Sequence, residues 1–108
     1  HTAEEAWRMM RMVPMSVAGH PVVGIEVKLP KTTLLAIATD RGYIMCGALD
    51  VQLLNERLKE RGIIAGRAVG VRTLEELMAA PLESVTIEAA NLGIAPGMSG
   101  AEALEKMI

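Results

Sequence analysis

"TTLLAIATDRGYIMCGALD", residues 32–50, decides the fold of this 108-residue chain. Two runs rich in apolar residues flank "DRG", where Asp40 can bond its own backbone and Gly42 accepts a positive φ. Residues 32–49 therefore read as an antiparallel hairpin. Its first run, residues 32–39, is apolar on both faces, the pattern of a central strand covered on both sides. Asp50 then caps a helix over "VQLLNERLKER", residues 51–61. Val51, Leu54 and Leu58 share one face, Gln52, Glu56, Lys59 and Glu60 point outward, and Gly62 ends it. "IIAGRAVGV", residues 63–71, returns as a strand, and a strand after a hairpin and a helix implies a crossover onto the same sheet.

Upstream, "MSVAGHPVVGIEVKLP", residues 15–30, sets Gly19 and His20 between two apolar runs at the spacing of a tight hairpin. Residues 22–29 alternate. Val23, Ile25, Val27 and Leu29 form one face and read as its core side, whereas Val22, Gly24, Glu26 and Lys28 form a face expected to be partly wet. Downstream, "TLEE", residues 73–76, and "SGAE", residues 99–102, are capping boxes that open a short helix and a terminal one. Between them Pro81 is placed to open a further helix with Leu82, Val85, Ala89 and Leu92 at helical spacing and Gly93 as its stop. The β-branched run "VTI" pulls the same segment toward a strand. The expected fold is α+β, a single compact domain with a mainly antiparallel sheet of about five strands and helices packed on it. Residues 12–108 make up that domain. Residues 1–11 read as a short polar helix, an N-terminal extension or a leftover of expression.

Apolar residues form 51% of the chain, yet there is no Phe, one Tyr and one Trp, so the core is aliphatic. So small a body cannot bury that surplus alone, and a homo-oligomer is expected. With 11 Lys and Arg against 13 Asp and Glu, and few aromatics, nucleic acid is an unfavoured partner. No run is long and apolar enough to span a bilayer. A single cysteine cannot form an internal disulfide, and the opening lacks the basic start and apolar run of a signal peptide. The expected address is the cytoplasm.

Two groups of residues could carry chemistry. Cys46 lies on a strand face with Ile44 and Ala48, where a thiol behaves as a small hydrophobe. Catalysis or thiol sensing would require His20 as its base. One thiol and one turn histidine are too few for a zinc site, and no cofactor is implied. Arg67 stands among apolar neighbours and needs an acid or an anion. Gly66 and Gly70 belong to a nearly side-chain-free face that a helix, a subunit or a ligand could approach. Arg72 and Thr73 stand where the next helix begins. A small anion held by Arg67, Arg72 and the backbone after Thr73 is one reading. The other pairs Arg67 with a buried carboxylate such as Asp50, and Arg72 with Glu75 or Glu76. "GRAVGV" is not a Walker loop. Ser99 of "GMSG" lacks a nucleophile-elbow frame and is explained as a helix cap.

"GIEVKLPKT", "TDRGYIMCGALD", "ERGIIAGRAVGVRTLEELM" and "LGIAPGMSGAEAL" together resemble the YunC family of small bacterial and archaeal proteins, over about Met12 to Ile108. The resemblance implies one α+β domain in the cytoplasm and brings no assigned activity, substrate or catalytic residue. Function is thus read as a non-enzymatic, self-associating domain with a small-anion or metabolite pocket. The alternatives are a Cys46-dependent enzyme or thiol sensor and a scaffold for another protein.

Overall fold

A computed structural model describes residues 10–30, 32–47 and 62–108. Its elements in chain order are β1 (Met10–Val17), β2 (His20–Leu29), β3 (Thr32–Ala38), β4 (Gly42–Cys46), β5 (Ile64–Ala68), α1 (Leu74–Ala79), β6 (Ser84–Val85), α2 (Ile87–Asn91) and α3 (Gly100–Met107). The six strands form one sheet in sequential order, antiparallel throughout except for the parallel pair β4–β5. Adjacent parallel strands require a crossover connection, as the hairpin–helix–strand pattern implied. The predicted helix over 51–61 and its Asp50 cap lie outside the described residues. Met10 and Arg11 pair with Val27 and Glu26 in β1, so the strand claims two residues assigned above to the N-terminal segment.

The β1–β2 hairpin closes on Val17↔His20 through Ala18 and Gly19, both with positive φ (52° and 83°). This is the backbone of a two-residue turn whose twist matches the strands. Alanine is costly in that conformation. Ala18→Gly is expected to raise stability by about 0.5–1 kcal/mol in urea titration.

All three described helices sit in the segment after β5, and α1 and α3 pack on one face of the sheet. Their fully buried Leu77, Leu104 and Met107 meet Leu35, Ile37 and Ile44 from β3 and β4, with Ile94 closing the layer. Each such side chain contributes about 1.5–3 kcal/mol of burial. The covered face of β2 is the reverse of the one expected. Val22 and Gly24 face the helices, whereas Val23 and Leu29 stay 37% and 42% exposed. A Cβ on Gly24 would lie 2.8 Å from both a Leu74 methyl carbon and the Met15 sulfur, so the gap in that face is what admits α1. Alternation separates two faces, but it cannot say which is covered when both carry apolar residues.

The helix expected from Pro81 is also shorter and later. Pro81 bridges to Ser99, Ser84–Val85 add to β5 as β6, and α2 begins only after Thr86. Thr86 is both the cap of α2 and the end of the strand run. The β-branched "VTI" is thus split between the two elements.

Candidate functional site

Arg67 projects from the sheet face opposite α1 and α3, beside Met45 and Ser84. Its Nη1 meets the Glu83 carboxylate at 3.2 Å, and its Nη2 donates to the Gly47 carbonyl at 2.6 Å. Among the described residues the acid that meets Arg67 is Glu83, a partly exposed residue just before β6; Asp50, the acid suggested by sequence, lies outside the described residues. β6 brings Glu83 into reach by pairing with β5. The Nε of Arg67 is buried and has no hydrogen-bond partner among the described residues. The side-chain-poor face of β5 is filled from within the domain. A Cβ on Gly66 would come within 2.7 Å of Leu82, and Ala68 is wholly buried. No ligand or subunit can use that face as it stands.

Gly70, with φ of 75°, turns the chain out of β5 and delivers Val71 and Arg72 to the far end of the β2–β3 hairpin. Arg72 is exposed and forms no ion pair among the described residues, so the expected contacts to Glu75 or Glu76 are not made. It lines an open cavity of about 570 Å³ with Lys28, Leu29, Thr32, Thr33 and Val71. Arg67 is not part of that lining. Thr73 is committed to α1, its hydroxyl accepting from the Glu76 N–H at 3.0 Å. Of the five residues read as an anion site, Arg67, Gly66 and Thr73 are thus engaged within the domain, whereas Gly70 and Arg72 are exposed. Lys28, Thr32 and Thr33 were missed. The cluster "KLPKT", with two lysines and a threonine at a hairpin tip, was the available signal.

Cys46 and His20 are not brought together. The register from β2 through β3 to β4 puts them at opposite ends of the sheet, about 20 Å apart along the strands at ~3.3 Å per residue. Cys46 is buried, and its Sγ accepts from the Leu35 N–H at 3.3 Å and faces the Thr33 carbonyl at 3.8 Å. The thiol thus extends the β3–β4 ladder by one position. Iodoacetamide at neutral pH is expected to leave Cys46 unmodified in the folded protein and to alkylate it after denaturation. Labelling of the folded state would revive the thiol chemistry. His20 is exposed at the other end, beside a shallow cavity lined also by Asp40, Arg41 and Met107. Among the described residues no three His, Cys, Asp or Glu side chains gather as a metal site would need. Tyr43 is partly buried, and desolvation raises its phenol above the ordinary value.

The fold and these placements define a small α+β domain whose mixed sheet is closed by helices on one face, with a cationic cavity at a hairpin end. The chain belongs to the family described as "Domain of unknown function (DUF1805)", whose model matches residues 45–107. It is 63% identical over 100 residues to "Uncharacterized protein YunC" of Bacillus subtilis (strain 168), covering 93% of this chain and 99% of that one. A protein of unknown function from Thermoplasma acidophilum, TA1206, has the same fold in its crystal structure. Its TM-score is 0.83 at 30% identity, over 93% of this chain and 94% of that one. No helix among the described residues is long and apolar enough to cross a membrane.

Proposed function

We propose that this chain is a non-enzymatic cytoplasmic domain that works as a homo-oligomer, joined through the open half of its sheet, and that it takes a small anion at Arg72. The observation that supports self-association is the uneven cover of the sheet face opposite α1 and α3. Toward β4 and β5 that face is closed, with Met45 and Ala65 buried. Toward β1 it is open: Met10 and Met12 are 57% and 74% exposed beside Val23, and Ile25 and Val27 lie opposite them across the ladder. The β1–β3 portion measures about 14 by 30 Å in plan, roughly 400 Å², from strand spacing and rise. That is about half of what each partner buries in a standard dimer interface, so the patch would form the centre of a contact with a polar rim. Edge-to-edge growth of the sheet is disfavoured, because Pro14 sits in the middle of the edge strand β1 and cannot donate to a further ladder. A second copy laid face to face is the arrangement left.

Sedimentation velocity tests this reading. The protein at tens of micromolar is expected to run as a dimer, and Met12→Glu with Val23→Glu is expected to run as a folded monomer with an unchanged circular dichroism spectrum. A monomeric parent protein, or a dimer indifferent to both charges, would overturn it. A monomer that binds a different protein through this face would make the domain a scaffold instead.

A further inference from the structure

We infer that the cavity between the β2–β3 hairpin end and the Val71–Arg72 segment binds the phosphate of a small aliphatic phosphomonoester, with Arg72 and Lys28 as paired cations. The inference rests on the proposed anion site at Arg72 and adds its second cation and its ligand class. The cross-strand pairs Lys28↔Thr33 and Leu29↔Thr32 are the last two of the hairpin end, and all four residues line the cavity together with Val71 and Arg72 from the segment after β5. Among the described residues Lys28 meets one acid, Glu26, at 3.9 Å. With the Lys28 side chain 61% exposed, that contact is weak and an incoming anion can replace it. The hydroxyls of Thr32 and Thr33 have no hydrogen bond among the described residues, so both are free to donate.

This set of groups selects a ligand class. A planar guanidinium offers a fork of donors that fits two phosphate oxygens, and an ammonium supplies a point charge for a third. Two cations facing one ligand favour a dianion over a monoanion of equal size. Leu29 and Val71 give the remaining wall an apolar surface with no aromatic ring to stack a base, which suits a short aliphatic chain better than a nucleoside. A volume of about 570 Å³ lies within the range of small-molecule sites.

The test uses the full chain in matched ionic strength with inorganic phosphate, glycerol 3-phosphate, acetate and glycerol. Amide chemical shifts and melting temperature are the readouts. Inorganic phosphate and glycerol 3-phosphate are expected to move the amides of Thr32, Thr33, Val71 and Arg72 and to raise the melting temperature by linkage. Glycerol 3-phosphate should bind more tightly, and acetate and glycerol should do neither. Arg72→Ala and Lys28→Ala, both at exposed positions, should each weaken binding by about tenfold or more, the loss of one charge-assisted contact. Arg72→Lys should recover only part of the loss. The monomeric Met12→Glu, Val23→Glu variant should bind as the parent does. Absence of shifts with every anion would overturn the anion site itself. Binding that ignores Lys28, or that takes acetate as well as phosphate, would leave an anion site at Arg72 and overturn the paired-cation phosphomonoester assignment.

Discussion

Thr86→Val is expected to destabilise the protein by about 3–5 kcal/mol, a large share of the total for a domain of this size. Thr86 is 2% exposed, and among the described residues no other polar or charged side chain is so buried. Its Oγ1 donates to the Ile63 carbonyl at 2.7 Å and accepts from the Ala65 N–H at 3.0 Å and the Ala89 N–H at 3.3 Å. One hydroxyl thus finishes the start of β5 and caps α2. Valine has the same shape and the same β-branch, so no cavity opens and strand propensity is kept. What is lost is the cap, worth about 1 kcal/mol, and the partners of two buried backbone groups, worth about 1–3 kcal/mol each. Urea titration should show a lower midpoint at unchanged slope, and Thr86→Ser should keep most of the stability because it keeps the oxygen. A Val variant within about 1 kcal/mol of the parent would mean that water replaces the hydroxyl at β5.

Gly100→Ala is expected to cost about 3 kcal/mol, although helix propensity by itself predicts a gain of about 1 kcal/mol. Gly100 is the first residue of α3, after the Ser99 cap. A Cβ there would run into the Leu77 carbonyl oxygen and lie 2.7 Å from the Ile44 Cδ1. The carbonyl belongs to the backbone of α1 and cannot turn away as a side chain can. The same approach lets the Gly100 N–H donate to the Ala80 carbonyl at 3.2 Å, which ties the start of α3 to the end of α1. Thermal unfolding should therefore fall by many degrees in Gly100→Ala. A neutral or stabilising result would show that α3 can shift along α1 without loss.

The capping boxes were readable because each is a contact within four residues. Thr73 and Ser99 accept from the Glu76 and Glu102 N–H groups as "TLEE" and "SGAE" imply. The β1–β2 and β3–β4 hairpins were readable too, but not their turns: the first turns at Ala18 and Gly19 with His20 already in β2, and in the second Gly42 has no positive φ and the Thr39 hydroxyl accepts from the Arg41 and Gly42 N–H groups. The exposed side of β2 was not readable, since Val22 and Val23 are equally apolar and the decision rests with Leu74 of α1, which fits over Gly24. At the candidate site, sequence grouped Arg72 with Arg67, Gly66, Gly70 and Thr73, whereas the cavity that Arg72 lines is completed by Lys28, Leu29, Thr32, Thr33 and Val71. Arg67, Gly66 and Thr73 are its neighbours in the chain, and each is already engaged by Glu83, Leu82 or Glu76. Lys28 and the two threonines reach Arg72 only because the hairpin end and the segment after Gly70 meet at the same edge of the domain.

By itself the sequence determined the α+β class, the order of strands before helices, the starts of α1 and α3 and the buried setting of Cys46, all of which depend on periodicity or on side chains reaching their own backbone. Only the tertiary structure decided which sheet face is covered, which acid meets Arg67, and that Lys28 and Arg72 share a cavity. Those outcomes are set by packing between segments far apart in the chain, where the fit of Leu74 over Gly24 or Leu82 over Gly66 outweighs any local preference.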